Sequence, residues 1–239
     1  MDKLFRLMPV LVPVALVVAL SFPLLALGVR YGLWGFQIAL SLLAGAALTA
    51  AILLALAGVG LLSALRRQQR RAATQGMLVI LFLVAPVAMV FHFGLKASQV
   101  PVLYDISTTW VNPPPISAAR PEGANPLQSA DTNQALQKEF YPDVVTLTVA
   151  ASPSEVLQRI EQVAQELGWE VTSVDGNTGI VEATDTSFWF GFVDDVTVRA
   201  RATTEGTTVI DVRSVSRVGK SDLGKNAERI RSFITAFGI

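Results

Sequence analysis

Leu7–Val29 reads LMPVLVPVALVVALSFPLLALGV, and two further runs of the same kind follow, Leu33–Leu65 and Ala72–Leu95; none of the three contains Asp, Glu, Lys or Arg. Each exceeds the roughly 20 residues that a helix needs to cross a ~30 Å hydrocarbon layer. Three membrane spans are therefore expected. Basic residues flank them unevenly. Lys3 and Arg6 precede the first run, Arg66, Arg67, Arg70 and Arg71 join the second to the third, and Arg30 alone separates the first two. Short loops rich in Lys and Arg stay cytoplasmic. The N-terminus and the RRQQRR loop are thus expected inside, with everything after Lys96 on the far side. The expected location is a bacterial inner membrane, with the C-terminal domain periplasmic or otherwise extracytoplasmic. A cleaved signal peptide ending near Ala26-Leu27-Gly28 is the rival reading. The first run is longer than the apolar core of such peptides, which favours an uncleaved helix, and both readings leave the C-terminal domain outside.

Charge divides the chain at the same place. Residues 1–96 carry eight Lys/Arg against one Asp, a net of +7, and residues 97–239 carry eleven against eighteen Asp/Glu, a net of −7. The formal net charge of +0 is a cancellation between a membrane part and a mildly acidic domain. An acidic outward domain argues against a nucleic-acid partner. With no cysteine there is no disulfide, thiolate metal site or Cys nucleophile.

Within the spans, Gly45/Thr49, Ala46/Ala50 and Ala47/Ala51/Ala55 place small residues at helical spacing, which lets helix backbones approach closely. Packing against the other spans of the chain is the simpler use of that face, and packing against another protein the sharper one. Tyr31 and Trp34 suit an aromatic belt at the outer interface. His92 is the sole histidine and lies within a turn of Lys96. An interfacial structural role is expected for it, since no second His, Asp or Glu lies in a span to form a relay.

Residues 97–142 hold Pro101, Pro113–Pro115, Pro121, Pro126 and Pro142, and read as an extended, non-helical arm of the outer domain. Residues 143–239 read as a regular α+β unit, so the domains are expected at 1–96, 97–142 and 143–239. Val144–Val149 looks like a strand. Ser152-Pro153-Ser154-Glu155 is a capping box with Pro at the first helical position. Val156, Ile160, Val163 and Leu167 then share a face, and Gly168 closes the helix. Trp169–Val174, Gly179–Thr184, Phe188–Phe192, Asp195–Ala202 and Thr208–Ser216 read as strands, with turns at Asp175-Gly176-Asn177 and Glu205-Gly206. A last helix is expected from Ser221 or Asp222. The economical arrangement is one antiparallel sheet packed with two helices.

The chemistry-bearing residues concentrate near the C-terminus. Asp195, Thr197, Arg199 and Arg201 share one face of a strand, as do Asp211 and Arg213 on the next, so a hairpin would set carboxylates beside guanidiniums. Arg217, Gly219, Lys220 and Ser221 then lead into a helix N-terminus, where amides and dipole favour an anion. The candidate anion site is accordingly Arg199, Arg213, Arg217, Gly219, Lys220 and Ser221, with Asp195, Asp211 and Asp222 as candidate ion-pair partners. A salt-bridge ladder and a helix cap are the plain alternatives. Gly219-Lys220-Ser221 lacks the preceding glycine of a Walker loop, so nucleotide hydrolysis is not expected. Phe188, Trp189, Phe190 and Phe192 form an aromatic cluster expected to fill core, with a membrane- or partner-facing patch as the alternative. No Ser-His or Cys-His catalytic set can be built, since the outer domain lacks His and Cys, and no metal site is expected, since the sequence does not bring enough oxygen ligands together. No cofactor is expected.

Asp105-Ile106-Ser107-Thr108, Asn112-Pro113-Pro114, Tyr141-Pro142-Asp143, Phe190–Arg199 and above all Asp211-Val212-Arg213-Ser214 through Arg229-Ile230 resemble the domain of unknown function 1499 family, over about residues 99–239. The resemblance implies that the proline-rich arm belongs to the domain and that three spans ahead of it are a known arrangement. It implies no activity and no catalytic residues. The strand–helix order is also similar to the helix-grip domains of envelope assembly lipoproteins, an analogy of fold alone. The expected function is a non-enzymatic, membrane-anchored binding or interaction module of the cell envelope, with membrane lipid and other membrane or envelope proteins as partners. The alternative is an enzyme acting on an anionic envelope substrate or lipid headgroup.

Overall fold

The computed structural model describes residues 2–116 and 120–238. It divides into two compact units, residues 1–96 with 189–191, and residues 97–188 with 192–239.

The first unit holds α1 (Asp2–Arg30), α2 (Phe36–Arg66) and α3, which runs from Arg70 to Gln99. All three are long and apolar enough to cross a membrane. Most of their large apolar side chains face outward, among them Leu20, Leu24, Leu48, Ile52 and Leu81, as a lipid solvent requires. The inner contacts combine small residues with a few large ones, Met8, Leu53, Val79 and Leu83. Ala15 of α1 and Ala39, Ala50 and Ala57 of α2 are fully buried. At Gly76 of α3 an added Cβ would sit 3.3 Å from the Ala57 carbonyl and 3.2 Å from the Leu61 Cβ. Only part of the expected small-residue face is used this way: Ala50 is buried, whereas Gly45, Ala51 and Ala55 are exposed. Trp34 lies against Gly28 and donates its indole N–H to the Leu25 carbonyl at 2.9 Å, closing the α1–α2 turn. His92 is exposed and sits edge-on to Phe93, with ring centres 5.6 Å apart.

The second unit contains β1 (Asp105–Ser107), α4 (Ala130–Phe140), β2 (Leu147–Val149), α5 (Pro153–Glu166), β3 (Glu170–Asp175), β4 (Ile180–Thr186), β5 (Val193–Ala202), β6 (Thr208–Ser216) and α6 (Lys225–Phe237). The strands form one antiparallel sheet in the order β1-β6-β5-β4-β3, and β2 pairs with the other end of β6 on the β1 side. Alternation decides the faces. Val196, Val198 and Ala200 of β5 stand beside Ser214, Val212 and Ile210 of β6, and Val181 and Ala183 of β4 extend the row. Val156, Ile160, Val163 and Ala164 of α5 and Ala227, Ile230 and Phe233 of α6 complete this core. The α5 capping box forms as its sequence demands: Ser152 Oγ accepts from the Glu155 amide, and Glu155 accepts from the Ser152 amide.

Three expectations need correction. The arm is not wholly extended, because α4 occupies residues 130–140. That stretch contains neither Pro nor Gly, and Pro126 and Pro142 bracket it rather than break it. The Phe188–Phe192 segment is not a strand and does not fill the core. It forms the β4–β5 connection, with Phe188 72% and Trp189 49% exposed. The last helix starts at Lys225, because Leu223 (φ +54) and Gly224 (φ +79) adopt left-handed backbone that no helix can include.

Candidate functional site

The register that points the apolar residues at the helices points the charged ones the other way. Asp195, Thr197 and Arg199 of β5, Asp211 and Arg213 of β6, and Asp105 and Ser107 of β1 share the opposite face. Such a face is commonly left to water in antiparallel sheets. Here the proline-rich arm lies across it. Arg199 donates to the Asn112 carbonyl, and Arg213 to the carbonyls of Pro114 and Gln128. Asn125 donates to the carbonyls of Ser216 and Gly219. The Arg213 guanidinium also sits over the Trp110 ring, 5.7 Å from its centre. Proline suits this work, since it leaves carbonyls free to accept while holding the chain extended.

Burial forces the charges to satisfy one another. Asp211 accepts from Arg199 at 2.9 Å, from Arg201 at 2.6 Å and from the Thr146 hydroxyl at 2.8 Å. Burial pushes this carboxyl up, but those donors together outweigh it and hold it below its ordinary range. Asp195 is clamped from both sides. Arg120 Nε reaches Oδ2 at 2.8 Å, and Arg217 Nε and Nη2 reach Oδ1 at 2.9 and 2.6 Å. Arg213 pairs not with Asp195, Asp211 or Asp222 but with Asp105, its diagonal neighbour on β1.

The remaining candidate residues do not converge on a common point. Gly219 takes a left-handed turn (φ +90), and its carbonyl is held by Asn125. Lys220 is exposed. The Ser221 hydroxyl donates to the Pro101 carbonyl and accepts from the Leu223 amide. Asp222 accepts from the amides of Gly224 and Asn226, occupying the α6 N-terminus with the protein's own carboxylate. Desolvation raises its pKa against those two hydrogen bonds. Asn226, fully buried, ties this end together by bonding Ser214, Ser216, Arg229 and the Tyr104 carbonyl.

One concavity opens at the edge of the polar face. It measures about 250 Å³, and its lining includes Arg120, Arg217, Asp195, Thr197, Glu182 and Thr184. Arg120 Nη2 and the Thr197 hydroxyl are buried without a hydrogen-bond partner among the described residues. Buried donors in native proteins are almost always paired, so orphans in a cavity wall mark a place for an acceptor. Sequence reading missed Arg120 and Asp105 as members of this face. The only local signal for either is a charged residue set in the proline-rich arm.

The family described as "Protein of unknown function (DUF1499)" matches residues 105–237, more than half of the chain. The chain belongs to the DUF1499 family. The match begins at Asp105, the partner of Arg213, and ends at Phe237, the last residue of α6. The arm that covers the sheet is therefore part of the DUF1499 domain, and the three apolar helices precede it. No curated protein matches the chain.

Proposed function

We propose that this DUF1499 protein is a membrane-anchored, non-enzymatic binding module of the cell envelope, with its domain on the extracytoplasmic side of a bacterial inner membrane. One observation carries the reading. The carboxylates best placed for chemistry, Asp105, Asp195 and Asp211, are each locked in ion pairs with arginine, whereas Arg120 and Thr197 leave donors unused at a cavity wall. A general base must be able to take up a proton. Asp211 is held below its ordinary carboxylate range, and Asp195 has its oxygens occupied by three N–H bonds from two guanidiniums. Such a face holds a ligand better than it transforms one. The uneven Lys/Arg flanks of the spans support the orientation.

The alternative, an enzyme acting on an anionic envelope substrate or headgroup, draws support from one fact: Asp195 lines the cavity. Extraction in mild detergent, followed by mass spectrometry of co-purifying lipid and protein, tests the binding reading. A bound lipid or a stoichiometric partner is expected. A chain that runs alone, with neither, overturns it.

A further inference from the structure

The cavity beside Asp195 has a chemistry specific enough to name its occupant. Two arginines, Arg120 and Arg217, share the single carboxylate of Asp195, and Glu182, opposite Thr197 in the β4–β5 register, balances the second guanidinium in formal charge across the cavity. Arg120 uses Nε on Asp195 and Nη1 on the Asn125 carbonyl, which leaves Nη2 as the buried donor without an acceptor. Arg217 binds Asp195 through Nε and Nη2, and its side chain keeps 24% exposure. Thr197 stands two residues along β5 from Asp195 on the same face. It is completely buried, and its hydroxyl is unpaired. The rest of the wall carries side-chain hydroxyls, Ser173 of β3 and Thr184 of β4, with Glu182 as a second acid.

We infer that this cavity binds an oxyanion carried on a small polyol, such as a glycerol phosphate unit. The oxyanion accepts from Arg120 Nη2, Arg217 and the Thr197 hydroxyl, meeting the donors that the protein leaves unmet. Guanidinium suits that role because its planar fork matches phosphate and carboxylate oxygens. The polyol lies along the hydroxyl-bearing wall of β3 and β4. Asp195 positions both arginines and touches no ligand. A free polyol phosphate and the phosphoglycerol headgroup of a lipid present the same chemistry to this wall. The inference rests on the binding-module reading and gives it a ligand class.

The test uses the full chain in phosphatidylcholine nanodiscs and phosphate-free buffer, titrated calorimetrically with sn-glycerol 3-phosphate and with inorganic phosphate. Saturable binding of both is expected, tighter for glycerol phosphate. Thr197→Val removes the hydroxyl while leaving every ion pair in place, and should weaken binding about tenfold, the loss of one hydrogen bond to a charged group. Arg217→Gln should abolish it. Repeating the titration in phosphatidylglycerol nanodiscs separates the sources: a headgroup that enters the site weakens the apparent affinity for the free probe, and a site for soluble ligand keeps it. No saturable heat with either probe, or an unchanged affinity in Thr197→Val, overturns the inference. A partner protein that co-purifies while both probes fail to bind would overturn it and leave the binding-module reading standing.

Discussion

Asp105 and Arg213 form a two-point ion pair across the β1–β6 ladder, Nε to Oδ1 at 3.0 Å and Nη2 to Oδ2 at 2.7 Å, with side-chain exposures of 0% and 5%. Neither charge could be buried alone. Removing one partner leaves the other uncompensated, a loss of about 3–5 kcal/mol. Arg213→Ala and Asp105→Ala should each lower stability by that much in thermal melts of the detergent-solubilised full chain. Arg213→Lys should restore little, because a lysine cannot bind Asp105 at two points or place a guanidinium over Trp110. Unchanged melting in all three would refute the assignment.

Arg231 and Asp143 make the same two-point contact in a different setting. Nη2 reaches Oδ1 at 2.7 Å, but the side chains are 39% and 54% exposed. Water already solvates both ions when they separate. Arg231→Ala should therefore cost only about 0–1 kcal/mol. Melts of Arg213→Ala and Arg231→Ala side by side measure what burial adds to one geometry.

Acid should act oppositely on two aspartates. Asp211 has a lowered folded pKa, so its contribution is present above the unfolded value of about 3.9 and is lost as pH falls through the folded one. The deficit of Asp211→Asn should be largest near neutrality and shrink in acid. Asp222 has a raised folded pKa, so its contribution is full below the unfolded value and is lost as pH rises through the folded one. Asp222→Asn should gain on the wild type as pH rises. Melting temperatures of the three proteins over about pH 2–7 show whether the differences run in these directions.

Gly179 and Gly206 both have left-handed backbone, φ +69 and +79, at the β3–β4 and β5–β6 turns. At Gly206 an added Cβ meets nothing, so Gly206→Ala should cost only the backbone penalty, roughly 1–2 kcal/mol. At Gly179 it would run into the Ala200 carbonyl, where the Gly179 carbonyl also accepts from the Ala200 amide. Gly179→Ala should be clearly the worse of the two. Equal melting temperatures would mean that the β4–β5 ladder can yield there.

The absence of native cysteine makes the topology directly readable. Gln69→Cys, in the arginine-rich turn, should react with a membrane-impermeant maleimide only after the cells are broken. Thr204→Cys, at the exposed β5–β6 turn, should react in intact spheroplasts. The reverse pattern would invert the orientation.

Much of this architecture is legible in sequence because it is local. An uncharged run longer than 20 residues needs no partner to be recognised as a span. The β5 and β6 alternation and the Ser152–Glu155 capping box are likewise written within a few residues of one another. The hairpin alone was enough to set Asp211 beside Arg199, since the two are directly opposed in register. Asp105 was hidden because its partner lies 108 residues away and a three-residue strand gives no periodicity. α4 was hidden by the prolines around it. Arg120, in an otherwise irregular stretch, becomes meaningful only when the arm is folded back onto β5.

The separation between Asp105 and Arg213 also orders events during synthesis. The arm leaves the ribosome long before β6 exists, and contacts so distant along the chain form late. Until Arg213 arrives, Asp105 has no counter-charge from β6 and the arm has no completed sheet to cover. A nascent chain halted before residue 213 would expose Asp105 and its proline-rich flank to quality-control proteases. Closure of the arm over β6 thus marks a chain translated past Arg213.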